Sequence, residues 1–219
     1  MNATPRRPAA LFDFDGTLTR RDTMLGFMLH LLRQQPGAAR ALGPALRRLP
    51  AYLAGRAGKA DMKALLLRAF VRLPAEAREP LVRRFHDAFL APRYLAGGVE
   101  RVAWHRRQGH LLVLASASVE LYLRPVAEAL GFDHLLATRM QLDDPPRPLG
   151  ANCYEREKVN RLLAEPWFGQ VDWPASWAYS DHSSDLPMLM LCGHPVAANP
   201  KPDLRRFATR AGWDIVDWK

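Results

Sequence analysis

The stretch Ala9-Ala10-Leu11-Phe12-Asp13-Phe14-Asp15-Gly16-Thr17-Leu18-Thr19 decides the fold. Its β-prone aromatic and aliphatic residues stop abruptly at Gly16, so Ala9 to Phe14 reads as a short strand that ends in a Gly-Thr turn. Asp13 and Asp15 are two apart, and residues two apart on a strand project to the same side, so both carboxylates can enter one pocket. In a doubly wound sheet the ligand crevice lies at the C-terminal strand ends, which is where this pair falls. Two facing carboxylates repel, and the arrangement calls for a cation or a shared proton. An exposed acidic turn is the alternative, and Asp13 between two phenylalanines in an apolar strand speaks against it.

Working outward, residues from about Asp22 to Leu90 carry no strand signal. Their apolar spacing is helical, as in Leu25, Met28, Leu29, Leu32 and in Met62, Leu65, Leu66, Ala69, Phe70. Pro36, Pro44, Pro50, Pro74 and Pro92 are expected to cut this region into several helices. After Gly97-Gly98 helices alternate with short apolar runs, the signature of a parallel sheet with covering helices. Strands are expected near His110–Ala115, His134–Thr138, Ser176–Tyr179, His194–Ala198 and Asp214–Asp217. Helices are expected near Val99–Arg107, Glu120–Leu130, Glu155–Leu163, Asp185–Leu191 and Pro202–Ala211, with Asp143 to Gly150 as a loop.

A second acidic pair, Asp181 and Asp185, follows the strand Ser176–Tyr179 in Ser180-Asp181-His182-Ser183-Ser184-Asp185. Alone, this pair reads as a turn cap and a first-turn helix acid. With Asp13 and Asp15 at another strand end, it can complete a set of oxygen ligands for a hard divalent ion such as Mg2+.

The order of these motifs resembles that of the haloacid-dehalogenase-like (HAD) hydrolases, in the phosphoserine-phosphatase-like branch. Asp13-Phe14-Asp15-Gly16-Thr17-Leu18-Thr19 resembles the first motif of that superfamily, Ser116 after the apolar strand the second, Lys158 the third, and Asp181 with Asp185 the fourth. The stretch Gly150 to Lys158 is also similar to bacterial hydrolases of the branch. Ser180 stands where many relatives have Gly, and His182 where many have a small residue. The resemblance implies an α/β fold, a Rossmann-like doubly wound parallel core formed by residues 1–20 and 96–219. Between the first two motifs it places an inserted helical (C1-type) cap, residues 21–95.

The activity implied is Mg2+-dependent phosphomonoester hydrolysis through an aspartyl-phosphate. Asp13 would be the nucleophile and Asp15 the general acid and base. The metal would be held by the Asp13 carboxylate, the Asp15 main-chain carbonyl and Asp181, with Asp185 orienting a metal-bound water or Lys158. Ser116, Lys158 and N–H groups near Gly16 and Thr17 would bind the phosphoryl oxygens. In phosphoserine phosphatases an early cap acid meets the substrate amino group, and Asp22 holds the comparable place; the N-cap of the helix starting near Thr23 is the other reading. Ser118 is read as the N-cap of the helix near Glu120, Lys63 and Arg68 as a solvated helix face, and His182 as a surface loop histidine. The dispersed histidines predict no zinc site.

Net charge is +9, and its placement matters more than its size. Arg20 to Gly97 holds 15 Lys+Arg against 5 Asp+Glu, or +10, whereas the remainder holds 16 against 17, or −1. A basic face attracts phosphorylated metabolites, nucleic acid or acidic lipid, and charge alone does not choose. The leading substrate is a small anionic phosphorylated metabolite, phosphoserine- or histidinol-phosphate-like. The alternative is a lipid-phosphate phosphatase of the phosphatidylglycerophosphatase type, its basic insert in peripheral contact with an anionic membrane. No nucleic-acid module appears in the insert, so no nucleic-acid partner is expected. Nothing in the sequence specifies an oligomeric state.

The 219 residues suit one domain carrying a smaller insert. No apolar run of signal-peptide length occurs between Met1 and Ala10, and none approaches the ~18 residues of a membrane span. Cys153 and Cys192 lack metal or redox spacing and read as free thiols, with the cytoplasm as the expected compartment.

Overall fold

The computed structural model describes residues 6–218. Residues 1–5 and 219 lie outside them, and with them part of the segment on which the export reading rests. The chain opens with β1 (Ala9–Phe12), then α1 (Met24–Gln34), α2 (Gly43–Leu53), α3 (Lys59–Val71) and α4 (Ala75–Phe85). Next come α5 (Ala96–Arg107), β2 (Leu111–Val119), α6 (Glu120–Leu130) and β3 (His134–Thr138). A short antiparallel pair of two-residue strands, β4 (Met140–Gln141) and β5 (Arg147–Pro148), precedes α7 (Arg156–Leu163). The remainder is β6 (Trp177–Ser180), α8 (Leu186–Leu189), β7 (His194–Ala198), α9 (Pro202–Ala211) and β8 (Asp214–Val216).

Six of these strands form one sheet in the order β3-β2-β1-β6-β7-β8, every adjacent pair parallel. The chain winds outward one way from β1 and then, after β3, returns to the other side of β1 at β6. The switch point therefore lies between β1 and β6, where a doubly wound sheet opens its crevice. Both faces are covered, which is why the central strands are apolar throughout rather than alternating. Ala10 and Phe12 of β1 face one core with Leu112 and Leu114 of β2, while Ala9 and Leu11 face the opposite core with Leu111 and Val113. The first core continues into the helices after β1 through Phe27, Leu67, Phe70 and Phe85. The chain leaves and re-enters the sheet region side by side: Thr19 bridges Tyr94, and Leu95 N–H donates to Leu18 O at 2.9 Å.

Several expectations need correction. Strand β1 stops at Phe12, before the acids, so Asp13 and Asp15 are presented by a loop rather than by pleat alternation. Strand β2 runs on to Val119, with an irregularity against β3 between Ala115 and Val119, so Ser116 lies within it. Pro50 does not cut the helical region: it is exposed inside α2, and Ala54 N–H still donates to its carbonyl. The Asp143–Gly150 loop contains β5. The region expected as one helix, Asp185–Leu191, is a 3-10 turn over Ser183–Asp185 followed by the short α8. Among the described residues no helix is long and apolar enough to cross a membrane. Both cysteines are free and buried.

Candidate active site

Asp13 follows β1 directly, and its N–H extends the ladder to Tyr179 O of β6 at 3.0 Å, so the backbone at the acid is fixed by the sheet. Phe14 points into the core, fully buried, which turns the flanking acids toward the crevice. Gly16 has φ +87, and a Cβ there would collide with the Asp181 carboxylate, so only glycine lets the two strand ends approach. Asn199 of the loop after β7 closes the loop from behind, its Nδ2 donating to Gly16 O at 3.2 Å and Thr17 O at 3.0 Å.

The centre of the site is an ammonium between carboxylates. Lys158 Nζ donates to Asp13 Oδ1 at 2.7 Å and to Asp185 Oδ2 at 2.7 Å, with Lys158 only 2% exposed. Burial pulls the lysine pKa down, but Asp13 and Asp185 outweigh it and hold the ammonium above the usual lysine range. Burial, with Asp185 and Asp181 adding repulsion, pushes the Asp13 carboxyl up to about 7 against the pull of Lys158. Asp13 Oδ2 also accepts from the Thr17 hydroxyl at 3.2 Å. Thr17 thus acts through its side chain, its own N–H being taken by Phe14 O at 3.2 Å. Ser180 Oγ donates to Asp185 Oδ2 at 2.7 Å, which gives a purpose to the residue standing where many relatives have Gly.

Asp181 is 3% exposed, its carboxyl pushed upward by burial against the pull of Lys201, whose Nζ lies 3.4 Å from Oδ2. Two buried acids, Asp13 and Asp185, therefore share one buried ammonium, the buried Asp181 lines the same cavity, and Asp185 Oδ1 is buried without a hydrogen-bond partner. Such a donor set fits a hard cation. Among the described residues no three metal-ligating side chains converge, so an ion here would also draw on main-chain and water oxygens.

Asp15 is held separately. Its Oδ1 accepts Thr23 N–H at 2.8 Å, and its Oδ2 accepts the Ser118 hydroxyl, to which Tyr122 OH donates at 3.0 Å. Burial raises the Asp15 carboxyl to about 6, with the Ser118 and Thr23 hydrogen bonds working against that rise. Ser118 is accordingly not a helix cap: α6 has no side-chain cap at its N-terminus. Ser116 is buried beside it, its Oγ accepting Ser118 N–H at 3.1 Å. Lys63 is not on a solvated face either. It reaches across from α3 to donate to Ala117 O and to Asn152 Oδ1, the latter at 2.5 Å, and burial lowers its pKa to about 8. Arg68 instead pairs with Asp144 at 3.8 Å, away from the acids. Asp22 is exposed, and its Oδ1 accepts Met24 N–H at 2.9 Å at the start of α1. His182 is half-buried and turned inward, its Nδ1 accepting Ser184 N–H at 3.0 Å.

A cavity of about 620 Å³ joins these groups: Asp13, Asp15, Asp22, Ser116, Lys158, Asp181 and Asp185 all line it. A cavity of about 690 Å³ between α4 and α6 is larger but carries no such chemistry, since Arg83, Arg124 and Arg139 are already paired with Glu79 and Glu120.

With this geometry in hand, the profile of the haloacid dehalogenase-like hydrolases matches residues 10–190. The chain belongs to that hydrolase family. Its likeness to a Bordetella pertussis Tohama I protein of unknown function is 28% identity, covering 99% of this chain and 100% of that one with a TM-score of 0.83. A phosphoserine phosphatase captured as a phospho-aspartyl intermediate analogue shares the fold at a TM-score of 0.60 and 19% identity, over 99% of this chain and 95% of that one. A histidinol-phosphatase of Neisseria meningitidis serogroup C is 26% identical over 221 residues, 96% of this hydrolase and 98% of the relative. Named phosphatases are thus among the proteins that this hydrolase resembles.

Proposed function

We propose that this hydrolase is a phosphatase that cleaves phosphomonoesters through an aspartyl-phosphate formed on Asp13, with Mg2+ as cofactor. The observation that carries the reading is the buried ammonium of Lys158 bridging Asp13 and Asp185 at 2.7 Å each, with Asp181 packed against Gly16. A phosphate dianion cannot approach a carboxylate until its charge is neutralised. Lys158 supplies one fixed positive charge beside the attacking oxygen, and the burial of that ammonium strengthens its action. The Asp13 carboxylate, the Asp15 main-chain carbonyl and Asp181 would hold Mg2+, which supplies the further charge neutralisation that phosphoryl transfer requires. The Thr17 hydroxyl and Lys158 orient Asp13, and Ser116 donates to a phosphoryl oxygen.

Asp15 protonates the leaving alcohol and later takes a proton from the hydrolytic water. Its carboxyl near 6 suits a group that must work in both directions close to neutrality. Residues 21–95 act as the cap over this centre, and residues 6–20 with 96–218 as the core. The substrate in this reading is a small phosphorylated metabolite in the cytoplasm, its phosphate among the acids and its organic part in the remainder of the cavity.

The test is a phosphatase screen over phosphorylated metabolites with Mg2+, with chelation and with Asp13→Asn. The variant is expected to retain less than about a thousandth of the wild-type rate, and chelation to abolish turnover that Mg2+ restores. Near wild-type turnover by Asp13→Asn overturns the mechanism.

A further inference from the structure

The acids make up only part of the lining of the 620 Å³ cavity. The rest is walled by Leu25 and Leu29 of α1, Leu46 and Leu49 of α2, and Met62 and Leu66 of α3. The volume falls within the range of whole small-molecule sites and is several times what a phosphate group fills. The wall is also open to solvent where a folded protein would normally cover it: Leu25 is 67% exposed and Leu46 66%. Single exposed leucines are ordinary, but here four from two helices all line the cavity that the acids also line.

The polar groups of the same wall are largely engaged within the protein. Lys63 donates to Ala117 O and Asn152 Oδ1, Lys59 Nζ sits 3.5 Å above the Tyr154 ring, and one oxygen of Asp22 takes Met24 N–H. A short zwitterion such as an amino-acid phosphate would leave the leucines uncovered and meet few free partners. A hydrocarbon chain would cover them and ask nothing of the engaged groups.

We infer that the organic part of the substrate is a hydrocarbon chain or ring system that lies along Leu25, Leu29, Leu46 and Leu49 while its phosphate meets Asp13. This rests on the phosphomonoesterase reading and specifies its substrate class: an amphiphilic monophosphate rather than a compact polar one.

Ethyl, butyl, hexyl and octyl phosphate, dissolved below their micelle concentrations, test it against O-phosphoserine. The expected result is a kcat/KM that climbs about threefold per added methylene, the order set by moving a CH2 out of water, until the groove is filled. Octyl phosphate then exceeds O-phosphoserine. Leu25→Gln with Leu46→Gln, both at solvent-facing positions, is expected to cut the octyl-to-ethyl ratio about tenfold. Calorimetry of octylphosphonate against ethylphosphonate reads the same preference without turnover. A long-chain monophosphate presented in phosphatidylcholine vesicles, compared with the dissolved octyl ester, tells a lipid from a free amphiphile, and turnover of either supports the class. A flat or falling chain-length series, with Asp13-dependent hydrolysis of O-phosphoserine intact, overturns the inference and leaves the phosphatase reading standing. Equal phosphonate affinities together with no Asp13-dependent hydrolysis of any ester overturn both.

Discussion

The floor and the roof of the cavity are built on opposite principles. On the floor, Asp13, Asp185 and Lys158 are nine-tenths or more buried and tied together by hydrogen bonds of 2.7 Å, so no member can move without leaving a charge unpaired. On the roof, α1 and α2 present leucines to solvent, and few polar contacts cross to the sheet. A charged cluster in a water-poor site is set by geometry, because its energy changes steeply with distance. An apolar wall is set only by shape and area, and it accepts any ligand of suitable outline. The acidic lining of the cavity thus specifies a reaction, and its apolar lining a kind of molecule.

The floor breaks hardest. Lys158→Met removes the only fully buried ammonium among the described residues and leaves Asp13 and Asp185 facing each other. We expect phosphatase activity to fall at least about a hundredfold, as when a preorganised charge donor is removed. Stability should fall by about 3–5 kcal/mol, the usual cost of stripping one partner from a buried ion pair. Adding Asp185→Asn should recover much of the stability and none of the activity. Thermal unfolding and turnover of the single and double variants check this. If the single variant is as stable as wild type, the floor is not the tightly coupled cluster described here.

This contrast also explains what the sequence could show. Asp13 and Asp15 were legible because one strand and one glycine place them; Asp181 and Asp185 followed from the same logic at a second strand end. Ser116 and Lys158 came from resemblance to a family, since an isolated serine or lysine carries no signal of its own. The parallel sheet with its covering helices was legible from the alternation of helix and apolar run, whereas the strand order shows only in the structure. Ser118, Lys63 and Asn199 were not legible, because their partners Asp15, Asn152 and Gly16 lie 103, 89 and 183 residues away in the chain. The φ of 49 at Asn199, a conformation asparagine tolerates better than most residues, shows only in the structure. Pro50 misled because an exposed helix face tolerates a missing N–H that a buried one would not. The roof's apolar wall was hidden for another reason. Leu25, Leu29, Leu46 and Leu49 have the spacing of core residues, and only the packed structure shows that they line a cavity open to solvent.

A milder change to the floor acts on Asp15. Ser118→Ala removes one hydroxyl that stabilises the ionised form of Asp15. One charge-assisted hydrogen bond corresponds to about tenfold in rate, so kcat is expected to fall by about that factor while KM stays within twofold. The carboxyl, already raised to about 6, should rise further once the donor is gone. A general acid must be protonated to act, so single-turnover phosphoryl transfer declines above its pKa, and this declining limb should move to higher pH in the variant. An unmoved limb would mean that Ser118 only fills space.

The smallest expected effect lies where roof and floor meet. Lys63 is the roof side chain that crosses to Ala117 O on β2 and to Asn152, and burial lowers its pKa from the ordinary 10.5 to about 8. Lys63→Met keeps the length of the stem while exchanging two hydrogen bonds for the loss of a half-buried charge. These terms should offset to within about 1 kcal/mol near pH 7, and pH separates them. Between about 8 and 10.5 the unfolded chain holds the lysine proton that the folded chain has released. The unfolded state therefore binds more protons in that window, and stability rises with pH. Wild type should gain on Lys63→Met as pH is raised from 8 toward 10.5, with no divergence below pH 7, in paired denaturant titrations. Parallel curves across the window would show a lysine that behaves as if solvated, and would undo the claim that the roof is tied to the floor through this residue.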